Sequence, residues 1–198
     1  MTPEDLARTI RARADGAGRF VTALAGPPGA GKSTLAEATV AALGPGARVV
    51  PMDGFHYDDR VLALRGLSRR KGAPETFDVR GLIHLMQRLR AGGEVAIPVF
   101  DRAMELSRAA ADVVTDDDRF LLVEGNYLLL DEAPWPELRP FFDLTVALAV
   151  PEAELERRLL RRWADRPGGA DWVRSNDMPN VRRVLAGSAP ADLVIRRA

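Results

Sequence analysis

The amino-acid sequence predicts an α/β fold in three layers, a mostly parallel central sheet with helices on both faces. Two patterns predict it. Short β-rich apolar runs alternate with segments of helical periodicity, the rhythm of a parallel sheet wrapped by helices. The runs are also apolar continuously rather than at every second residue, as strands covered on both faces must be. A third observation says where a ligand would meet that sheet: a glycine-rich turn, Gly26-Pro27-Pro28-Gly29-Ala30-Gly31-Lys32-Ser33, stands between one strand and one helix.

The elements follow in order. Thr2-Pro3-Glu4-Asp5, followed by Leu6 and Ile10, reads as a capped helix with Pro at its first position. It lacks the basic segment and apolar stretch of a signal peptide, so none is expected. Strands are expected from Phe20 to Ala25, Arg48 to Met52, Val95 to Val99, Phe120 to Val123, Leu144 to Val150 and Leu193 to Ile195, all as members of the parallel sheet. Helical periodicity runs from Lys32 to Leu43, Val79 to Leu89 and Glu152 to Trp163. Gly44-Pro45-Gly46, Ala91-Gly92-Gly93 and Arg166-Pro167-Gly168-Gly169 read as turns or loops. With no repeat, low-complexity tract or linker, residues 1–198 read as a single domain, and 46% hydrophobic content suffices for a full core.

Composition narrows the function classes. Cysteine is absent, which removes disulfides and thiolate metal sites and points to a cytoplasmic setting. No apolar run approaches the roughly 18 residues of a membrane span, so no membrane association through a helix is expected. The formal net charge is zero, which provides no field for a polyanion, and nucleic acid is not an expected partner. A homodimer stays open. Of the 28 basic residues only Lys32 and Lys71 are lysine, so a lysine kept here is a candidate for a role that arginine cannot fill. A compact ammonium fits among phosphate oxygens where a planar guanidinium does not.

The turn at Gly26 to Ser33 fits G-x-x-x-x-G-K-[ST] with a strand before it and a helix, opened by Thr34-Leu35-Ala36, behind it. Its chemistry requires that pattern. Gly26, Gly29, Ala30 and Gly31 let the backbone curl so that its N–H groups point inward, and the helix beginning near Thr34 presents its positive end. Lys32 then reaches the β- and γ-phosphates of a nucleotide and the Ser33 hydroxyl ligates Mg²⁺. The expected ligands are therefore ATP and Mg²⁺.

Two acids stand at strand ends, where open α/β sheets bind ligands. Glu124 closes the run Phe120 to Val123, as a ligand of Mg²⁺ directly or through water, or as an ordinary strand-end surface residue. Asp53 follows Val49-Val50-Pro51-Met52, with Gly54 allowing a sharp exit. It can accept the proton of an attacking hydroxyl, or simply bond its own turn.

With these residues assembled, the chain resembles the uridine kinase, phosphoribulokinase and type I pantothenate kinase family. The motifs that carry the resemblance are Gly26 to Ser33, Met52-Asp53-Gly54-Phe55-His56-Tyr57, Arg70-Lys71-Gly72-Ala73-Pro74-Glu75-Thr76-Phe77-Asp78, Pro98-Val99-Phe100-Asp101 and Val123-Glu124-Gly125-Asn126-Tyr127. A subgroup described as nucleoside kinase-like or fructose-transport-associated kinases is similar as well, sharing Asp53 to Tyr57 and Asn176-Asp177-Met178-Pro179-Asn180. The resemblance implies the P-loop NTPase fold with a small helical lid, here about residues 161–178. It implies Asp53 as catalytic base, Lys32 and Ser33 on the phosphates and metal, and Glu124 near the metal. It also implies Asp78, Phe100, Asp101 and Arg102 in the acceptor pocket, with Lys71 beside them. Uridine kinases carry a histidine after the Pro-aromatic-Asp segment to meet the base, whereas this chain continues Arg102-Ala103-Met104-Glu105, which argues against uridine. The chain also lacks the length of pantothenate kinase, which argues against pantothenate.

The stripe Leu155, Leu159 and Trp163 marks a packed helix, leaving Arg157, Arg158, Arg161, Arg162 and Arg166 on its other faces. Arg162 and Arg166, nearest Pro167-Gly168-Gly169, are the candidates for lid arginines that meet the transferring phosphoryl group. A solvated face with Glu154 paired to Arg158 accounts for the others. His56 and Tyr57 are candidates for the acceptor pocket, or for an aromatic cluster that packs the loop. The expected partner is a small molecule that accepts phosphate on a hydroxyl; the alternative is a regulatory P-loop NTPase with no such acceptor, which the second acid and the aromatic insert suit less well.

Overall fold

The computed structural model describes residues 1–14, 16 and 18–197. Helix α1, Pro3–Arg13, begins with the capping box its sequence calls for: Asp5 N–H donates to Thr2 Oγ1 at 3.2 Å and Thr2 N–H to Asp5 Oδ2 at 2.9 Å. The continuous apolar runs become β1, Phe20–Ala25, β2, Ala47–Pro51, β5, Phe120–Gly125, β6, Leu144–Ala149, and β7, Leu193–Arg196. They form one five-stranded sheet in the order β2-β5-β1-β6-β7, every neighbour parallel. Helices α2, Lys32–Leu43, and α5, Glu152–Arg162, cover one face with α1, and α4, Val79–Ala91, lies on the other.

Each face has its own core. Leu6, Ile10, Leu24, Leu35, Leu155 and Leu159 pack on the α1/α2/α5 side, and Val21, Val123, Leu82, Met86 and Tyr127 on the α4 side. This explains the apolar continuity of the strands, since alternate residues of β1 and β5 serve opposite cores.

The run at Val95 to Val99 departs from expectation. It extends to β3, Val95–Asp101, and pairs antiparallel with β4, Leu106–Val114, in a separate two-stranded ribbon. The reason is the connection. Residues 102–105 form a tight turn, which can only reverse the chain, whereas a parallel neighbour needs a crossover of about a dozen residues or more. Val95, Ile97 and Val114 anchor the ribbon in the α4-side core.

The register of the sheet brings the motifs to one edge. Glu124 lies beside Leu24 of β1 and Pro51 of β2, so the glycine-rich turn after Ala25, the acid ending β5 and the Asp53 turn after β2 all emerge at the carboxyl ends of adjacent strands. Short elements complete that edge: a 3₁₀ turn at Met52–Phe55, α3 at Asp59–Leu64, α6 at Gly169–Trp172, a π-helical turn at Val173–Asp177 and α7 at Met178–Gly187. Among the described residues no helix is long and apolar enough to cross a membrane.

Candidate active site

The carboxyl-end edge opens into a cleft of about 550 Å³. Its floor is the turn that enters α2. Gly31, with φ of 86°, occupies the left-handed region that disfavours a side chain, and α2 has no side-chain cap and no acid in its first turn. The first N–H groups of that helix are therefore left for an anionic ligand. Gly29, Gly31, Lys32, Ser33 and Thr34 line the cleft, while Ala30 is buried and Gly26 packs against Leu148.

Lys32 is only 7% exposed, and its Nζ donates to Asn126 Oδ1 at 2.6 Å and to Pro27 O at 3.1 Å. Ser33 Oγ donates to Glu124 Oε1 at 3.1 Å. Burial raises the pKa of Glu124, the Lys32 charge working against it, and burial lowers that of Lys32. Ser33 and Glu124 thus offer two hard oxygen donors, one of them an acid. That set suits Mg²⁺, which takes one or two protein ligands and fills the rest of its shell with water and phosphate.

Opposite stands Asp53 in the 3₁₀ turn. Its Oδ2 accepts from Arg102 Nη2 at 2.8 Å, and its carbonyl lies 2.8 Å from His56 Nδ1. A carbonyl can only accept, so Nδ1 carries the proton and Nε2 keeps its lone pair. Burial lowers the pKa of His56, whose ring packs against Phe77 at 4.0 Å and Phe100 at 4.7 Å between centroids. Gly54 is required by close approach: a Cβ there would meet Pro98 O at 2.3 Å, which fastens the Asp53 turn to the base of the ribbon. Both lysines of the chain reach this cleft. Lys71 Nζ donates to Asp59 Oδ1 at 2.6 Å and Glu105 O at 2.7 Å.

The far wall comes from α5 and the segment after it. Arg162 lines the cleft. Trp163 Nε1 donates to Asp177 Oδ2 at 2.8 Å, and the rings of Trp163 and Trp172 lie 6.1 Å apart. Burial pushes Asp177 up to about 6, against the pull of its bond from Trp163 and the charge of Arg162.

Of the residues singled out in the sequence, Lys32, Ser33, Thr34, Asp53, His56, Lys71, Phe100, Arg102, Glu124 and Arg162 share this cleft. Besides Gly26 and Ala30, four others lie elsewhere. Asp78 caps α4, accepting from Gly81 N–H at 2.9 Å. Asp101 Oδ1 accepts from the N–H groups of Ala103 and Met104, both at 3.0 Å, and so builds the ribbon turn. Tyr57 faces a second cavity of about 290 Å³ beneath Arg65, and Arg166 stacks over Trp163 and pairs with Glu105 at 3.2 Å. Residues that line the cleft without having been singled out for it include Asn126, Glu105, Arg158, Arg161, Trp172 and Asp177. Asn126 was readable, since it follows Glu124 by two residues, directly after the end of β5; Arg158 keeps the expected pairing with Glu154, at 2.6 Å, and adds a bond to Gly29 O at 3.3 Å.

Residues 21–176 match the model of the Phosphoribulokinase / Uridine kinase family. The crystal structure of a candidate fructose transport system kinase from Silicibacter sp. TM1040 superposes with a TM-score of 0.93 at 43% identity, covering 98% of this chain and 99% of that one. The uncharacterized protein YggC of Escherichia coli (strain K12) is 35% identical over 186 residues, 89% of this chain and 77% of that protein. The pantothenate kinase of Sorangium cellulosum (strain So ce56) is 34% identical over 164 residues, 78% of this chain and 53% of that enzyme, so the chain spans about half its length.

Proposed function

The chain belongs to the Phosphoribulokinase / Uridine kinase family of P-loop kinases, and from that premise we propose that it transfers the γ-phosphoryl group of ATP to a hydroxyl of a small molecule. The observation that carries this reading is the meeting, in one cleft, of Lys32 on a phosphate-cradling turn with a second, strand-end acid, Asp53, on the opposite wall. A nucleotide switch requires the first and has no use for the second.

In the reaction, Lys32 exchanges Asn126 Oδ1 and Pro27 O for the β- and γ-phosphate oxygens, an exchange among oxygen acceptors that leaves no ammonium proton stranded. Asp53 takes the proton of the acceptor hydroxyl as its oxygen bonds to the γ-phosphorus. The bond from that phosphorus to the β–γ bridging oxygen breaks, and ADP departs with its electron pair. Ser33 and Glu124 would hold Mg²⁺, which would supply neutralisation of charge on the phosphate oxygens. Arg162 adds positive charge at the transferring group, and residues 161–178 act as the lid of this single domain. His56, Lys71, Phe100 and Arg102 surround the acceptor, a molecule of the class of a nucleoside, a sugar or a pantothenate-like alcohol, in line with the names of the relatives.

The test is ATP consumption by the purified chain with Mg²⁺ against nucleosides, sugars and vitamins, with and without EDTA. Acceptor-dependent ADP formation that stops on chelation is expected. ATP hydrolysis at one rate with every compound would point to a regulatory NTPase instead.

A further inference from the structure

Arg102 occupies a position for which the acceptor pocket alone is an incomplete account. Its turn is built to a purpose: Asp101 ties the N–H groups of Ala103 and Met104, and the Lys71 ammonium holds Glu105 O. The side chain leaving that turn reaches back across the cleft to Asp53 Oδ2 at 2.8 Å. The guanidinium lines the same cleft as Lys32 and Ser33 of the cradle, Glu124 and His56, so the phosphate turn and the Asp53 carboxylate both border the space it occupies.

We propose that Arg102 is a further catalytic residue that changes partner during the reaction: it holds the Asp53 carboxylate while the cradle is empty, and moves onto the γ-phosphate when ATP binds, releasing Asp53 as the base. The inference rests on the kinase reading above. Energetics favour the exchange. The Arg102 side chain is 57% exposed and that of Asp53 22%, and an ion pair so open to water shifts an equilibrium by about fivefold at most. A guanidinium fork on phosphate oxygens forms two charge-assisted bonds and is the stronger contact. The acceptor's proton therefore finds its base uncovered only after nucleotide has bound, which orders the two substrates.

Calorimetry with the non-hydrolysable analogue AMP-PNP and with ADP, each with Mg²⁺, tests this on the parent chain, Arg102→Ala, Asp53→Asn and the double variant. Arg102→Ala is expected to weaken AMP-PNP by about tenfold to a hundredfold and ADP by less than about twofold, because only the first carries a γ-phosphate. Asp53→Asn is expected to tighten AMP-PNP by about three- to fivefold, since the competing partner is gone, and the double variant to lose that gain. Equal weakening of both nucleotides by Arg102→Ala, or a gain from Asp53→Asn that persists without Arg102, overturns the exchange and leaves the kinase reading standing. A parent chain that binds neither nucleotide overturns both.

Discussion

The two walls of the cleft are built on opposite terms. On the nucleotide side, Lys32 and Glu124 are 7% and 6% exposed, sit on α2 and β5, and have their polar atoms held by Asn126, Pro27 and Ser33. On the side we assign to the acceptor, two of the links are ion pairs with more open side chains, Arg102–Asp53 and Arg166–Glu105, carried by a ribbon turn and by short helical pieces. Exposed pairs contribute about 1 kcal/mol or less each, whereas a buried charge that loses its partner costs several times that. One wall therefore presents a site already formed, and the other can rearrange at small cost as substrates arrive.

That contrast can be broken at graded points. The largest effect is expected from Lys32→Ala, which takes the charge off the phosphates: turnover with the acceptor found by screening should fall about 10³-fold or more, near 4 kcal/mol of barrier, while the thermal transition stays cooperative. Near-parental turnover would remove the nucleotide wall from the chemistry. Asp53→Asn comes next, with turnover down about 10² to 10⁴-fold. Because phosphoryl transfer has a loose transition state with little early proton movement, the lower end is expected. A loss of only a few-fold at undiminished nucleotide binding would reduce Asp53 to a turn residue.

Asp177→Asn sharpens the comparison through stability. An acid whose pKa rises from 3.8 to about 6 on folding is destabilising once ionised, so its contribution improves as pH falls from about 6 to about 4 and is worst above 6. Two units correspond to a ceiling of about 3 kcal/mol, and partial solvent contact lowers the expected gain of the variant at pH 7 to about 1 to 2 kcal/mol. The gain should vanish near pH 4; denaturant melts at both pH values measure it, and a pH-independent difference would contradict the cause. The smallest effect belongs to Arg166→Ala. Its exposed pair with Glu105 predicts a change in stability below about 1 kcal/mol and in turnover within a few-fold. A loss comparable with that of Asp53→Asn would show that Arg166 reaches the transferring phosphoryl group after all.

The same contrast explains what could be read from the sequence. The nucleotide wall is contiguous: a strand, a turn and a helix carry it in order, and Glu124 is paired directly with Leu24 of β1 on the neighbouring strand. The acceptor wall comes from separated stretches whose polar residues serve turns as readily as ligands. Asp78 and Asp101 look like site acids and prove to be a helix cap and a turn brace. Strand β4 was hidden because Arg108-Ala109-Ala110-Ala111 shows no alternation and its ladder to β3 is broken by an irregularity between Ile97 and Val99. The helical pieces after Trp163 are expected only through the family resemblance, as a small helical lid over about residues 161–178; periodicity does not mark them, because short elements with a π-helical turn have no sustained period.

Of the three tryptophans, Trp135 is buried in an aromatic cluster with Phe77 and Tyr127, whereas Trp163 and Trp172 flank the segment that borders the cleft. The chain thus carries an internal optical reporter. Trp163 donates its indole proton to a carboxylate that titrates near pH 6, and indole emission responds to a neighbouring charge, so two of the three chromophores register any rearrangement of that wall while the third supplies a steady reference. The proposed lid closure can then be timed by stopped flow on the unmodified protein, without attaching a dye.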